Sequence, residues 1–178
     1  MSRVITYSRF FQKNHPKSGE PTFFVEKVWK ALQTIGYSEP QYFFDELPGL
    51  ESIIDLDVFK TTWEKYHTVR KGKRWKVGDT ASLRVWSGKP YRSKQITFAD
   101  NVKVEKVFDI DIDECGVISI NGLYFLPDEI GGNDPEEELA KNDGLSLDDF
   151  YEWLVMPCFR KEKAFSGQII CFTNNINY

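Results

Sequence analysis

Apolar positions along this chain change their spacing several times, and each change marks an element. Val4 to Phe10 alternates as a first strand would, and the Asn14–Pro21 segment, with two prolines and Gly19, reads as a loop. From Thr22 to Ile35 the apolar residues Phe24, Val28, Trp29, Leu32 and Ile35 fall on one helical stripe, and Gly36 stands where a helix would stop. Pro40, Pro48 and Gly49 break up the next stretch, and Asp55 to Glu64 has room for a short helix. At His67 the period becomes two, with Tyr66, Thr68 and Arg70 on one side and His67 and Val69 on the other.

Alternation returns over Ala81–Trp86, and after a turn at Ser87–Pro90 it predicts strands over Gln95–Phe98 and Val102–Ile112. The Val117–Leu126 stretch carries Asn121-Gly122 between alternating apolar residues, the signal of a two-residue hairpin. An acidic loop follows from Asp128 to Glu138. Ser146-Leu-Asp-Asp149 resembles a capping box, opening a helix whose Leu147, Phe150, Tyr151 and Leu154 share a face and which ends before Pro157. Gln168–Thr173 reads as a buried closing strand. Short antiparallel strands with flanking helices predict an α+β chain built on a small, partly open β-barrel.

Composition narrows this picture. With 178 residues, 41% hydrophobic and 15% aromatic, the chain is expected to be one domain over 1–178 with a real core. Its start lacks the apolar segment of a secretory signal, and no apolar run nears the ~18 residues of a membrane span. Cys115, Cys158 and Cys171 are odd in number and far apart, which indicates neither a disulfide framework nor a zinc site. His15 and His67 lie apart without a ligand pattern and give little support to metal or triad chemistry. A soluble, cytoplasmic protein with no metal or organic cofactor is the expectation.

Charge is distributed unevenly behind a net value of −4. Residues 65–106 hold twelve lysines and arginines against Asp79, Asp100 and Glu105, whereas 107–152 hold fourteen carboxylates against Lys141 alone. Either the basic segment steers an anionic ligand, or the two segments neutralise each other on one solvated surface. Lys65, Thr68 and Arg70 lie within six residues and open the basic segment. A threonine hydroxyl becomes a nucleophile when a base takes its proton, and a lysine made neutral by burial or by like charges can be that base. Strict alternation puts Lys65 on the face opposite Thr68 and Arg70, so Lys65 must precede the regular strand or sit at a bulge. Arg70, Lys71, Lys73, Arg74, Lys76 and Arg84 can meet phosphates, while Trp75, Trp86 and Tyr91 offer either stacking faces for bases or ordinary packing.

Lys65-x-x-Thr68-x-Arg70, the basic loop and Lys76-Val-Gly-Asp79 resemble the ASCH family, a branch of the PUA-like barrels. Asp143-Gly-Leu-Ser-Leu-Asp-Asp-Phe-Tyr-Glu-Trp153 and Phe165-Ser-Gly-Gln-Ile-Ile-Cys-Phe-Thr173 resemble that family's late helix and closing strand. Ile5-Thr-Tyr-Ser and His15-Pro-Lys-Ser-Gly-Glu-Pro-Thr-Phe-Phe-Val-Glu-Lys27 extend the likeness to uncharacterised bacterial and phage ASCH-like proteins. The resemblance spans nearly the whole chain, with residues 37–64 as an insertion or elaboration beyond a minimal member, and implies a PUA-like barrel whose basic cleft binds RNA or a nucleotide. It also implies a second possibility, since one bacterial subgroup removes the acetyl group from acetylated cytidine with a lysine, a threonine and a glutamate. Those roles fall on Lys65, Thr68 and Asp143, the last a methylene shorter than the subgroup's acid. A protein-binding accessory role in a phage or mobile element is a third.

Overall fold

A computed structural model describes residues 2–37, 53–124 and 134–178. The expectations for residues 38–52 and 125–133, most of the insertion and most of the acidic run, lie outside the described residues. Eight strands form among them: β1 (Arg3–Tyr7), β2 (His67–Lys71), β3 (Thr80–Trp86), β4 (Gln95–Lys103), β5 (Lys106–Ile112), β6 (Ile118–Ile120), β7 (Leu123–Tyr124) and β8 (Phe165–Cys171). They make two sheets, of order β1-β3-β4 and β2-β8-β5-β6-β7. Every pairing is antiparallel except β1 with β3. The chain is therefore α+β, with two separate sheets and no closed barrel among the described residues.

One predicted strand proves to be parts of two. Val102–Ile112 breaks at Val104–Glu105, where the backbone passes from one sheet to the other. Val104 is fully buried and its N–H donates to the Asp79 carbonyl (2.9 Å), while the next N–H, of Glu105, donates to the Cys171 carbonyl (2.9 Å). Alternation alone does not reveal such a corner, because both halves keep their period. β1 is also shorter than Val4–Phe10. The Ser8 hydroxyl bonds the Phe10 carbonyl (2.6 Å), and Phe10 bridges to Pro21 instead. The hairpin forms as expected up to Tyr124, with Asn121 and Gly122 both at positive φ (52° and 80°), as its tight turn demands.

Helix α1 (Phe24–Thr34) buries Phe24, Val28, Trp29 and Leu32, each side chain contributing about 1.5–3 kcal/mol by leaving water. The Trp29 indole N–H donates to the Phe98 carbonyl (2.9 Å), fixing α1 to β4. Short α2 (Leu56–Thr61) is capped by Asp55, whose carboxylate accepts from the N–H groups of Asp57 and Val58. Helix α3 (Pro135–Asn142) follows the described part of the acidic segment. The late helix starts at the Ser146 cap as α4 (Leu147–Phe150), but it does not stop before Pro157. A π-turn over Tyr151–Val155 intervenes, and α5 (Met156–Lys161) continues with Pro157 in its first turn, where a missing N–H costs little. No helix among the described residues is long and apolar enough to cross a membrane.

Candidate functional site

A cavity of about 420 Å³ is lined from both sheets, from α1 and from the π-turn, and Lys65, Thr68, Arg70 and Asp143 all reach it. The parity problem at Lys65 resolves because the strand begins only at His67. Ahead of it, the Lys65 N–H donates to the Lys27 carbonyl on α1 and the Tyr66 N–H to the Asn142 carbonyl on α3, both at 3.0 Å. The Tyr66 carbonyl still accepts from the Phe172 N–H (3.0 Å), so the backbone departs from the ladder at Lys65. Lys65 thereby joins Thr68 and Arg70.

Asp143 is delivered by the end of α3. The Gly144 N–H bonds the Lys141 carbonyl (2.9 Å) and the Leu145 N–H bonds the Ala140 carbonyl (3.0 Å), the two bonds of a Schellman cap. That cap needs a left-handed residue, and Gly144 supplies it at φ 76°. A Cβ there would also stand 3.1 Å from the Lys65 side chain. Local helix-ending chemistry thus presses the carboxylate and the lysine together.

Lys65 Nζ lies 2.6 Å from Asp143 Oδ1, donates to the Asp143 carbonyl as well, and sits 4.6 Å above the Phe24 ring. Both side chains are almost fully buried. Burial pushes the Lys65 amine down to about 8, against the pull of the Asp143 charge. It raises the Asp143 carboxyl above its ordinary value, opposed by Lys65 and Arg70. The two shifts agree in sense: dryness narrows the gap between amine and carboxyl and makes a proton easier to move off Lys65.

Thr68 is buried beside the Tyr7 hydroxyl, which lies near it without a well-formed hydrogen bond, and burial keeps that phenol protonated. Arg70 is half-buried, donating to the Thr6 carbonyl (3.0 Å) with its guanidinium 5.3 Å from the Tyr7 ring centre. Two aromatic pairs line the cavity: Trp86 and Tyr91 pack at 5.3 Å, and Phe24 and Trp153 meet edge-on at 5.7 Å.

His67 is wholly buried behind the site. Its Nδ1 is 2.9 Å from the Tyr178 hydroxyl and its Nε2 is 3.7 Å from Asp143 Oδ1; burial and Lys65 hold the ring neutral. His15 stacks on Phe11 at 4.3 Å, next to Trp153, while Lys17 pairs with Asp149 at 2.7 Å. The His15-Pro-Lys17 segment therefore anchors the helix that carries Trp153.

The basic loop departs from expectation. None of Lys71, Lys73, Arg74, Trp75 and Lys76 lines the cavity. Lys73 pairs with Asp109 (3.0 Å) and lies 3.8 Å from Asp111, the mutual neutralisation that the charge map left open. Trp75 is buried, its backbone N–H donating to the Gln168 side-chain oxygen (2.8 Å) and its ring covered by Arg3 at 5.6 Å, so packing replaces stacking there. Arg84 turns back along β3 to Ser82 (3.2 Å), outside the lining, whereas Trp86 belongs to it. Sequence reasoning did not single out Tyr7, Phe24, Gln95 or Trp153 as site residues. The first, second and fourth lay inside quoted motifs, but nothing in a motif says which face its aromatics take. Comparisons with protein-family models, with curated proteins and with solved structures find no match.

Proposed function

We propose that this chain is an ASCH-like domain whose cavity binds one nucleoside or nucleotide unit, either free or within RNA. What carries the reading is the convergence of Lys65, Thr68, Arg70 and Asp143 on one cavity flanked by aromatic rings. Its volume suits a ligand of that size. A base between the Trp86–Tyr91 and Phe24–Trp153 pairs gains about 1–3 kcal/mol from stacking. Arg70 meets a phosphate or a base carbonyl with charge-assisted hydrogen bonds. Titration with the four nucleosides and their 5′-monophosphates, followed by tryptophan fluorescence from Trp86 and Trp153, tests it. Arg70→Ala is expected to weaken binding of the preferred monophosphate by about tenfold or more, the loss of a charged hydrogen bond. No binding of any of the eight at millimolar concentration sinks the reading.

The buried Lys65–Asp143 pair beside Thr68 favours a second reading, hydrolysis of an N-acylated nucleoside. The Thr68 hydroxyl oxygen attacks the acyl carbonyl while its proton passes to neutral Lys65, and the C–N bond breaks as that proton goes to the departing amine. Water then attacks the threonyl ester, giving its proton to Lys65, which returns it to the departing Thr68 oxygen as the C–O bond breaks, and the carboxylic acid leaves. Asp143 holds the amine in place, a role its shorter side chain fills at 2.6 Å. Arg70 and the Tyr7 hydroxyl face the developing oxyanion. Lys65→Ala and Thr68→Ala are each expected to abolish hydrolysis of an N-acetylated nucleoside, and full activity in either removes this reading.

A further inference from the structure

A cavity for one nucleotide leaves open whether more of a strand lies outside it, and the β3–β4 loop bears on that. Residues 87–94 run Ser-Gly-Lys-Pro-Tyr-Arg-Ser-Lys. Pro90 and Tyr91 line the cavity, as does Gln95 just after the loop. Lys89, Arg92 and Lys94 are each next in sequence to one of these lining residues. All three are exposed, and none makes an ion pair with a carboxylate among the described residues. The loop singled out by sequence is the reverse case: Lys73 is paired, Trp75 is buried and no residue from 71 to 76 touches the cavity.

The β3–β4 loop is also built to hold its shape. The Ser87 N–H bonds the Lys94 carbonyl (2.9 Å), and the Arg92 N–H bonds the Lys89 carbonyl (3.1 Å). The Ser93 hydroxyl accepts from the Gly88 N–H (2.9 Å) and donates to the Lys89 carbonyl (3.0 Å). At its tip Tyr91 takes a left-handed backbone, φ 62°, which costs a residue with a Cβ about 1 kcal/mol or more. That conformation carries a side chain left 90% exposed, its ring centre 5.3 Å from that of Trp86 and tilted 51° to it. Burial does not explain the arrangement. An exposed ring lining a base-sized cavity, flanked in sequence by exposed cations that pair with no carboxylate among the described residues, matches the stacking platform and backbone-tracking charge of a single-strand binder.

We infer that the nucleotide in the cavity belongs to a single-stranded polynucleotide, with a neighbouring base on Tyr91 and the adjoining phosphates on Lys89, Arg92 and Lys94. This rests on the nucleotide-binding reading above. The test uses the whole chain and three probes: the best-bound 5′-monophosphate, and homodecamers of the same base in RNA and in DNA, read by fluorescence anisotropy between 50 and 200 mM salt. At least one decamer is expected to bind ten times more tightly than the monophosphate, and the RNA and DNA arms identify the sugar. The Lys89→Ala/Arg92→Ala/Lys94→Ala variant is expected to lose that gain and to flatten the log K against log salt slope by about 2, three phosphate contacts at ~0.7 each. It should keep the monophosphate affinity, which also reports that it is folded. Lys71→Ala/Lys73→Ala/Lys76→Ala should bind the decamer as the parent does. A decamer no tighter than the monophosphate, an unaffected triple variant or equal affinity for a duplex overturns the inference alone. Failure of the monophosphate to bind overturns the nucleotide reading and the inference with it.

Discussion

Two buried lysines reach the Asp143–Gly144 corner, and they are not equivalent. Lys27, on α1, gives its ammonium to the Gly144 carbonyl (2.7 Å) and rests it 4.0 Å from the Trp63 ring. Lys65 gives its own to the Asp143 carboxylate and carbonyl, over the Phe24 ring. Burial pushes both amines down to about 8. Yet among the described residues only Lys65 of the two has a carboxylate partner, and only Lys65 lines the cavity. A perturbed lysine is thus no marker of function by itself, since Lys27 is as perturbed as Lys65 and serves as a tether. What separates them is whether a second titratable group and an open space share the amine.

Substitution by methionine, similar in length and uncharged, should divide the pair most sharply. Lys65→Met strands the Asp143 carboxylate in a dry site, and breaking such a pair costs about 3–5 kcal/mol. At roughly 2–4 °C per kcal/mol for a domain of this size, the melting temperature should fall by about 10 °C. Adding Asp143→Asn, which removes the stranded charge, should recover most of that loss. Lys27→Met relieves a desolvated cation while leaving the Gly144 carbonyl without its donor, and its net cost should stay within about 2 kcal/mol of zero. Thermal and urea melts of the four proteins decide it; equal costs for the two single variants would erase the distinction.

The second expectation follows from pH. An unfolded lysine titrates near 10.4, and folded Lys27 near 8. Between those values the unfolded chain holds the proton that the folded chain has released, so stability rises with pH across that window. The cost of burying the cation is present in full below pH 8 and gone above about 10.5. Relative to Lys27→Met, the parent chain should therefore gain on the order of 3 kcal/mol from pH 7 to pH 10.5. Urea melts at half-unit steps measure it. A flat difference curve for Lys27 would mean that its amine is not desolvated.

Sequence alone went far with local elements and less far with their relations. The α1 stripe, the Asn121-Gly122 turn and the Ser146 cap rest on contacts within a few residues, and all three form. The Val104 corner was invisible because it depends on Asp79 and Cys171, far away in the chain. Pro157 misled for a related reason: a proline ends a regular helix, but a π-turn before it restarts the count and admits it to a new first turn. At the site, Lys65, Thr68 and Arg70 were legible from spacing, and Asp143 from resemblance. Their convergence was not, since it needs Gly144 to end α3 next to Lys65. The basic loop shows the opposite error. Its charges are real, but whether a lysine is free depends on carboxylates such as Asp109 and Asp111, which sheet pairing alone brings opposite it.

The smallest expected effect sharpens the comparison through the two aromatic rings. Trp63 is 40% exposed, so its face adds only about 0.5–1 kcal/mol to the Lys27 ammonium. Trp63→Leu should lower stability by no more than that and leave nucleotide affinity unchanged, because neither Trp63 nor Lys27 lines the cavity. Phe24 is buried and packs against Tyr7 and Trp153 as well as under Lys65. Phe24→Leu therefore removes one side of the proposed base slot together with the face beneath the amine, and nucleotide affinity should drop severalfold. Paired fluorescence titrations read the contrast directly. A Trp63 variant that loses affinity as the Phe24 variant does would show that the tether and the cavity form one energetic unit, and Lys27 would then join the site rather than flank it.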